Sequence, residues 1–163
     1  MIGVGWMKAH RWIVILAAVF VAAVGGLIVW LLTLPSNDDG LSMGDYGPDK
    51  QRDWAERLVV GLNTHDADEV PIHRVYGKQL SSQKNTVEAA RPTPGCRYEL
   101  LSVEDRGKQV GQDVPGLTGQ RSTYRFDMTV EEECTGRQTQ TQKIGVVAIA
   151  DMGYWEPFYF VVD

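Results

Sequence analysis

The chain has 163 residues, 44% apolar and 23% charged, values that exclude a disordered, collagen-like or disulfide-dense protein. Its charge is uneven: residues 1–35 carry Lys8, Arg11 and no acid, whereas residues 36–163 hold 14 Lys/Arg against 21 Asp/Glu, a net −7. An acidic domain without a basic block argues against nucleic acid as a partner, because phosphate binding needs clustered Lys and Arg.

Trp12 to Leu34 is 23 residues without a charge. As a helix it spans roughly 34 Å, enough for a ~30 Å hydrocarbon core. Trp12 and Trp30 lie near its two ends, where indole rings favour the membrane interface. A cleaved signal peptide would have a shorter apolar core and an A-x-A-like site. The flank Leu31 to Ser36 has no such site, which favours an uncleaved anchor. Lys8 and Arg11 precede the span and Asp38 and Asp39 follow it. The positive-inside rule then places the N-terminus in the cytoplasm and the rest of the chain outside a bacterial cell membrane. Ala18, Ala22 and Gly26 form a small-residue ladder that offers self-association of the span.

The expected organisation is a cytoplasmic N-terminus 1–11, a transmembrane helix 12–35, a flexible tether 36–47 and an extracytoplasmic domain 48–163. The tether is rich in Gly, Ser and Asp and lacks periodicity. Pro48 suits the first turn of a helix. Trp54, Leu58 and Leu62 recur every four residues and make one apolar stripe. Core packing of Trp54 is the plain reading of that stripe. Asn63-Thr64-His65 breaks the helix, with Asn63 suited to a left-handed conformation and His65 at the surface. Asp66, three residues before Glu69, predicts a second helix start in capping-box fashion. Pro71 predicts a break in it and Gly77 its end. Lys78 to Arg91 is either a third helix or a ragged loop, closed by Pro92-Thr93-Pro94-Gly95.

After Gly95 the period becomes two. Arg97 to Arg106 predicts a strand, Gly107 to Gly119 a long glycine-rich loop, and Ser122 to Glu132 a half-buried antiparallel strand. Tyr124, Phe126, Met128 and Val130 occupy one face of that strand. Arg137 to Ala150 predicts a third strand and Tyr154 to Val162 a fourth, with Pro157 demanding an edge position or a bulge. If the first two strands pair antiparallel, partners share a constant index sum. Cys96 and Cys134 sum to 230, as do Arg106 and Tyr124 beside the connecting loop. The cysteines then face each other at the open end of one hairpin, and a disulfide suits an extracytoplasmic domain.

The order helix, helix, short helix and four meandering strands, with the turn Leu62-Asn63-Thr64-His65-Asp66-Ala67-Asp68-Glu69-Val70 after the first helix, resembles the NTF2-like superfamily. The resemblance covers roughly residues 48–163. It implies an α+β cystatin-like cone, with helices packed on a curved four-stranded antiparallel sheet. With its anchor the chain is similar to small bacterial envelope proteins, including those found beside Mce lipid-transport systems. Enzymatic members place acids with tyrosines or histidines inside the cone, and no matching set is assigned here.

Motifs for nucleophilic, nucleotide or zinc-protease chemistry are missing from the sequence. His65 and His73 are eight apart across Pro71, so helical metal ligation fails. His73 near Tyr76 and Asp68 offers an acid–base cluster, and an enzyme of this kind predicts a buried His73. The aromatic stretch Tyr154 to Phe160 either lines a pocket or forms core. The leading expectation is therefore an anchored accessory protein, not an enzyme, with no cofactor or metal and an envelope protein as partner. Its candidate pocket or partner surface is Trp54, Tyr124, Phe126, Met128, Trp155, Phe158 and Phe160. The alternative is a lipid or apolar-ligand carrier with a hollow cone; the third reading is the His73 enzyme.

Overall fold

A computed structural model describes residues 44–162. The expected span 12–35, with Trp12, Trp30, Ala18, Ala22 and Gly26, lies outside them. Among the described residues no helix is long and apolar enough to cross a membrane.

Helix α1 (Pro48–Leu62) starts with Pro48 in its first turn and buries Ala55, Leu58, Val59 and Leu62. A 3-10 turn follows (Ala67–Glu69), then α2 (Ser81–Ala90). The four strands are β1 (Cys96–Asp113), β2 (Gln120–Cys134), β3 (Gln140–Asp151) and β4 (Tyr154–Val162). They form one antiparallel sheet in the order β1-β2-β3-β4. The described residues are thus α+β, with two helices and a four-stranded meander.

The helices cover one face of the sheet. Leu58, Leu62, Val87 and Ala90 pack against Phe126, Met128, Val130, Ile144, Val146 and Phe160. A smaller cluster, Val114, Ile149 and Phe158, is joined by Val75, Leu80 and Leu117. Strand β3 is central and carries side chains into both clusters, which is why Ile144 to Ala150 reads as a continuous apolar run.

Three local expectations are corrected. The predicted loop 107–119 is mostly strand, because β1 runs on to Asp113. Gly107 (φ 79°) and Gly111 (φ 67°) sit where the β1–β2 register slips, so these glycines serve bulges inside a ladder. A further slip after Leu100 keeps Tyr98, Leu100 and Val103 on the core face. The slips also move Tyr124 opposite Lys108 instead of Arg106, while Cys96 stays opposite Cys134. Second, the helix predicted from Asp66 shrinks to the 3-10 turn, since Pro71 supplies no N–H and forbids further turns. No helix reaches Gly77, which instead forms a tight turn with Tyr76 between bridged Val75 and Lys78. Third, the left-handed residue of the turn is His65 (φ 58°), whereas Asn63 is right-handed (φ −70°).

Side chains from the helical half pair with the start of β1 and with the β4 edge. On β1, the Asn63 amide donates to the Tyr98 carbonyl (2.9 Å) and accepts from its N–H (2.7 Å). The His65 ring lies 3.1 Å from the Cys96 carbonyl. On β4, buried Gln83 donates to the carbonyls of Phe158 (2.9 Å) and His73 (2.8 Å) and accepts from the Leu80 N–H (2.8 Å). The Thr86 hydroxyl accepts from the Phe160 N–H, and the His73 N–H donates to the Pro157 carbonyl. An unpaired edge would leave these groups open to other chains or costly to bury.

The far sheet face carries one buried acid, Asp127, whose side chain is 4% exposed. Arg106 and Arg125 donate to its two oxygens at 2.7 and 3.1 Å, with Lys143 at 3.5 Å. Opposite, Gly145 leaves room for the guanidinium: a Cβ there would meet Arg125 at 3.0 Å and Asp127 at 3.2 Å. Burial pushes the Asp127 carboxyl up, but the bonds from Arg106 and Arg125 win and hold it below its usual 3.8. A depressed carboxylate adds stability above pH about 4 and loses it as pH falls through its folded value. The arginines are partly exposed, so Asp127→Asn should cost only about 2 kcal/mol at pH 7. In urea melts that difference should shrink towards pH 2; a constant difference would assign the cost to packing instead.

Candidate functional site

Residues 44–47 were expected to belong to the tether, yet they are docked. The Gly44 N–H donates to the Gly153 carbonyl in the β3–β4 turn at 2.7 Å. Tyr46 is 4% exposed, and its ring packs on Tyr124 (5.1 Å), Phe126 (6.1 Å) and Trp155 (6.4 Å). Its carbonyl accepts from Gln51 of α1 at 2.6 Å. Burial pushes the Tyr46 phenol far above the ordinary tyrosine range. Its hydroxyl and Gln51 Oε1 are buried with no hydrogen-bond partner among the described residues.

Above this aromatic cluster a groove of about 340 Å³ runs between α1 and the β3–β4 hairpin. Tyr46, Lys50, Trp54, Arg57, Trp155 and Glu156 line it. The α1 stripe leaves Trp54 half-buried at the rim. The Arg57 guanidinium covers its ring at 5.4 Å and pairs with Asp53 at 2.6 Å. A half-exposed indole beside mixed charges can hold an apolar side chain and orient a polar one.

The seven candidate pocket residues therefore separate. Trp54 and Trp155 come together in the groove. Tyr124 lies beneath them against Trp155 (5.6 Å), and its hydroxyl donates to Asp105 at 3.1 Å. Phe126, Met128 and Phe160 are core under the helices, and Phe158 fills the smaller cluster. Tyr46 went unnoticed in the sequence because it stands in a polar stretch without periodicity. An isolated aromatic among Gly and Asp was its only signal.

The predicted neighbours of His73 are also corrected. Tyr76 is fully exposed, and Asp68 pairs with Lys84 at 2.8 Å. The Nδ1 of His73 instead lies 2.8 Å from Glu156 Oε2 and 3.7 Å from Asp151 Oδ2, at the base of the β3–β4 hairpin. Its side chain is 18% exposed, so the imidazole is neither sealed in the core nor free in solvent. No signal in the sequence joins position 73 to 151 and 156, because the chain crossing the β4 edge makes that contact.

Cys96 and Cys134 are disulfide-bonded, with Cα atoms 4.3 Å apart. That separation suits a closely spaced, non-hydrogen-bonded antiparallel pair. The neighbouring Tyr98 phenol donates to Gln142 at 2.9 Å and is pushed up to about 12 by burial and by Glu132.

Together these features define an α+β domain with a disulfide-closed sheet, a capped β4 edge and an aromatic groove where its described chain begins. No family model, curated protein or solved structure matches the chain.

Proposed function

We propose that the protein is a membrane-anchored extracytoplasmic accessory subunit that docks an envelope protein through the Trp54–Trp155 groove. One observation carries this reading. The bond from Gly44 to Gly153 ties the start of the domain to the hairpin that walls the groove. Residues 36–43 can reach at most ~28 Å even when fully extended. A tether this short suits a partner that is itself an envelope protein.

The NTF2-like reading of the domain belongs to the same proposal. It is supported by the order of two helices before a four-stranded meander. The carrier alternative draws no support from the interior, where Phe126, Met128 and Phe158 are fully buried. The non-catalytic reading rests on the groove, whose lining pairs indoles with salt-bridged surface charges.

Full-length protein purified in mild detergent from its own cells tests this. A stoichiometric partner protein is expected with the wild type and should fall at least tenfold with Trp54→Ala. Arg52→Ala, on the exposed side of α1, should leave the yield unchanged. Lipid without a protein partner, or equal capture by Trp54→Ala, would overturn the reading.

A further inference from the structure

We infer that His73, Asp151 and Glu156 form a binding site for a divalent transition cation of the zinc class. The three ligand atoms, Nδ1, Oδ2 and Oε2, lie within 4.8 Å of one another. A tetrahedral ion bound at 2.0–2.2 Å needs ligand atoms roughly 3.3 Å apart. The present separations from Nδ1, 2.8 Å to Glu156 and 3.7 Å to Asp151, straddle that value. Both carboxylates are partly exposed, which leaves them free to rotate towards an ion.

The backbone beneath is already organised. The His73 N–H donates to the Pro157 carbonyl at 2.7 Å, and the His73 carbonyl accepts from Gln83 at 2.8 Å. The imidazole packs on the Phe158 ring at 6.2 Å. Asp151 pairs with Tyr154, and Glu156 with Ile149, so hairpin register holds both carboxylates on one face. The turn joining them is tight, with Met152 (φ 44°) and Gly153 (φ 88°) both left-handed, which suits a two-residue hairpin loop. Three residues from two distant parts of the chain thus converge on rigid supports.

Charge points the same way. The ion pairs of Asp151 and Glu156 both run to the one imidazole, whereas Asp127 and Glu104 are each met by arginine and lysine. With His73 protonated the trio still carries one net negative charge; a divalent ion on neutral His73 balances the two carboxylates. One imidazole and two carboxylates, without a thiolate, favour Zn²⁺ and its divalent neighbours over Cu(I). Asp151 and Glu156 are 41% and 39% exposed, so the fourth position opens to solvent and can take water.

The test uses the full chain in mild detergent, carrying a tag without histidines, stripped with a chelator and titrated with Zn²⁺ in competition with a chromophoric chelator. One Zn²⁺ per chain is expected. Asp151→Asn and Glu156→Gln should each weaken binding at least tenfold, with circular dichroism and metal-free melting temperature unchanged. These two variants keep the result interpretable even where His73→Ala loosens the β4 edge. No saturable binding by the wild type below about 100 μM, or equal binding by both variants, would overturn the site.

Discussion

Replacing Gln83 with leucine should destabilise the domain by about 3 kcal/mol. Gln83 is fully buried, and its one amide serves three backbone groups: the Leu80 N–H and the carbonyls of His73 and Phe158. Leucine fills similar volume but serves none of them. Each buried group left without a partner costs about 1–3 kcal/mol. Water reaching the β4 edge recovers part of this, which sets the lower half of the range. For a domain of this size the loss corresponds to a fall in Tm of roughly 10–15 °C. Thermal melts of the full chain in detergent, followed by tryptophan fluorescence, measure it. Lys84→Ala, exposed and one residue away, should move Tm by only a few degrees, since it removes one surface ion pair to Asp68. A Gln83→Leu fall below about 3 °C would mean that the edge of β4 is hydrated in the native state.

Breaking the Cys96–Cys134 bridge should cost about 3–4 kcal/mol. The cysteines are 38 apart in sequence, and closing a loop of that size removes entropy from the unfolded chain in the loop-closure account. The double variant Cys96→Ser/Cys134→Ser avoids leaving one reactive thiol. Its urea midpoint, against that of the wild type, gives the difference. Bridge removal should leave the sheet register intact, because the ladder from Arg97–Glu133 to Leu100–Val130 holds the same alignment. A loss under 1 kcal/mol would indicate that the unfolded chain is already constrained near these positions. Thiol labelling of the protein as isolated from cells adds an independent check on the proposed compartment. No label is expected before reduction, whereas full labelling would place the domain where thiols stay reduced.

Much of the fold was readable because its signals are local. The Trp54-Leu58-Leu62 stripe specifies α1, and the alternation from Tyr124 to Val130 specifies β2 with its core face. Cys96 and Cys134 are the two cysteines of the chain and do pair, but the constant index sum holds only as far as Leu100–Val130, because the slips beyond it place Tyr124 opposite Lys108. Pro157 announced the slip between Val147 and Ala148 on its edge strand. The misreadings share a different cause. Gly107 and Gly111 looked like loop residues, yet a ladder absorbs glycines at bulges when its partner strand continues, and that continuation is a pairing property. Asn63 carried the pattern of a left-handed turn residue, but its amide is taken by Tyr98, 35 residues away. Tyr46 had no periodicity to betray it, and only the arrival of Tyr124 and Trp155 makes its position a core position.

Composition and periodicity therefore determined α1, the order of the four strands and the core face of β2, since each depends on residues near in sequence. Tertiary structure decided which polar side chains cap the β4 edge and the start of β1, that Trp54 and Trp155 share a groove, and that His73 meets Asp151 and Glu156. Those contacts arise where α1, α2 and the segment after the 3-10 turn cross the sheet. Crossing geometry follows from how the whole core packs, and no residue carries it alone.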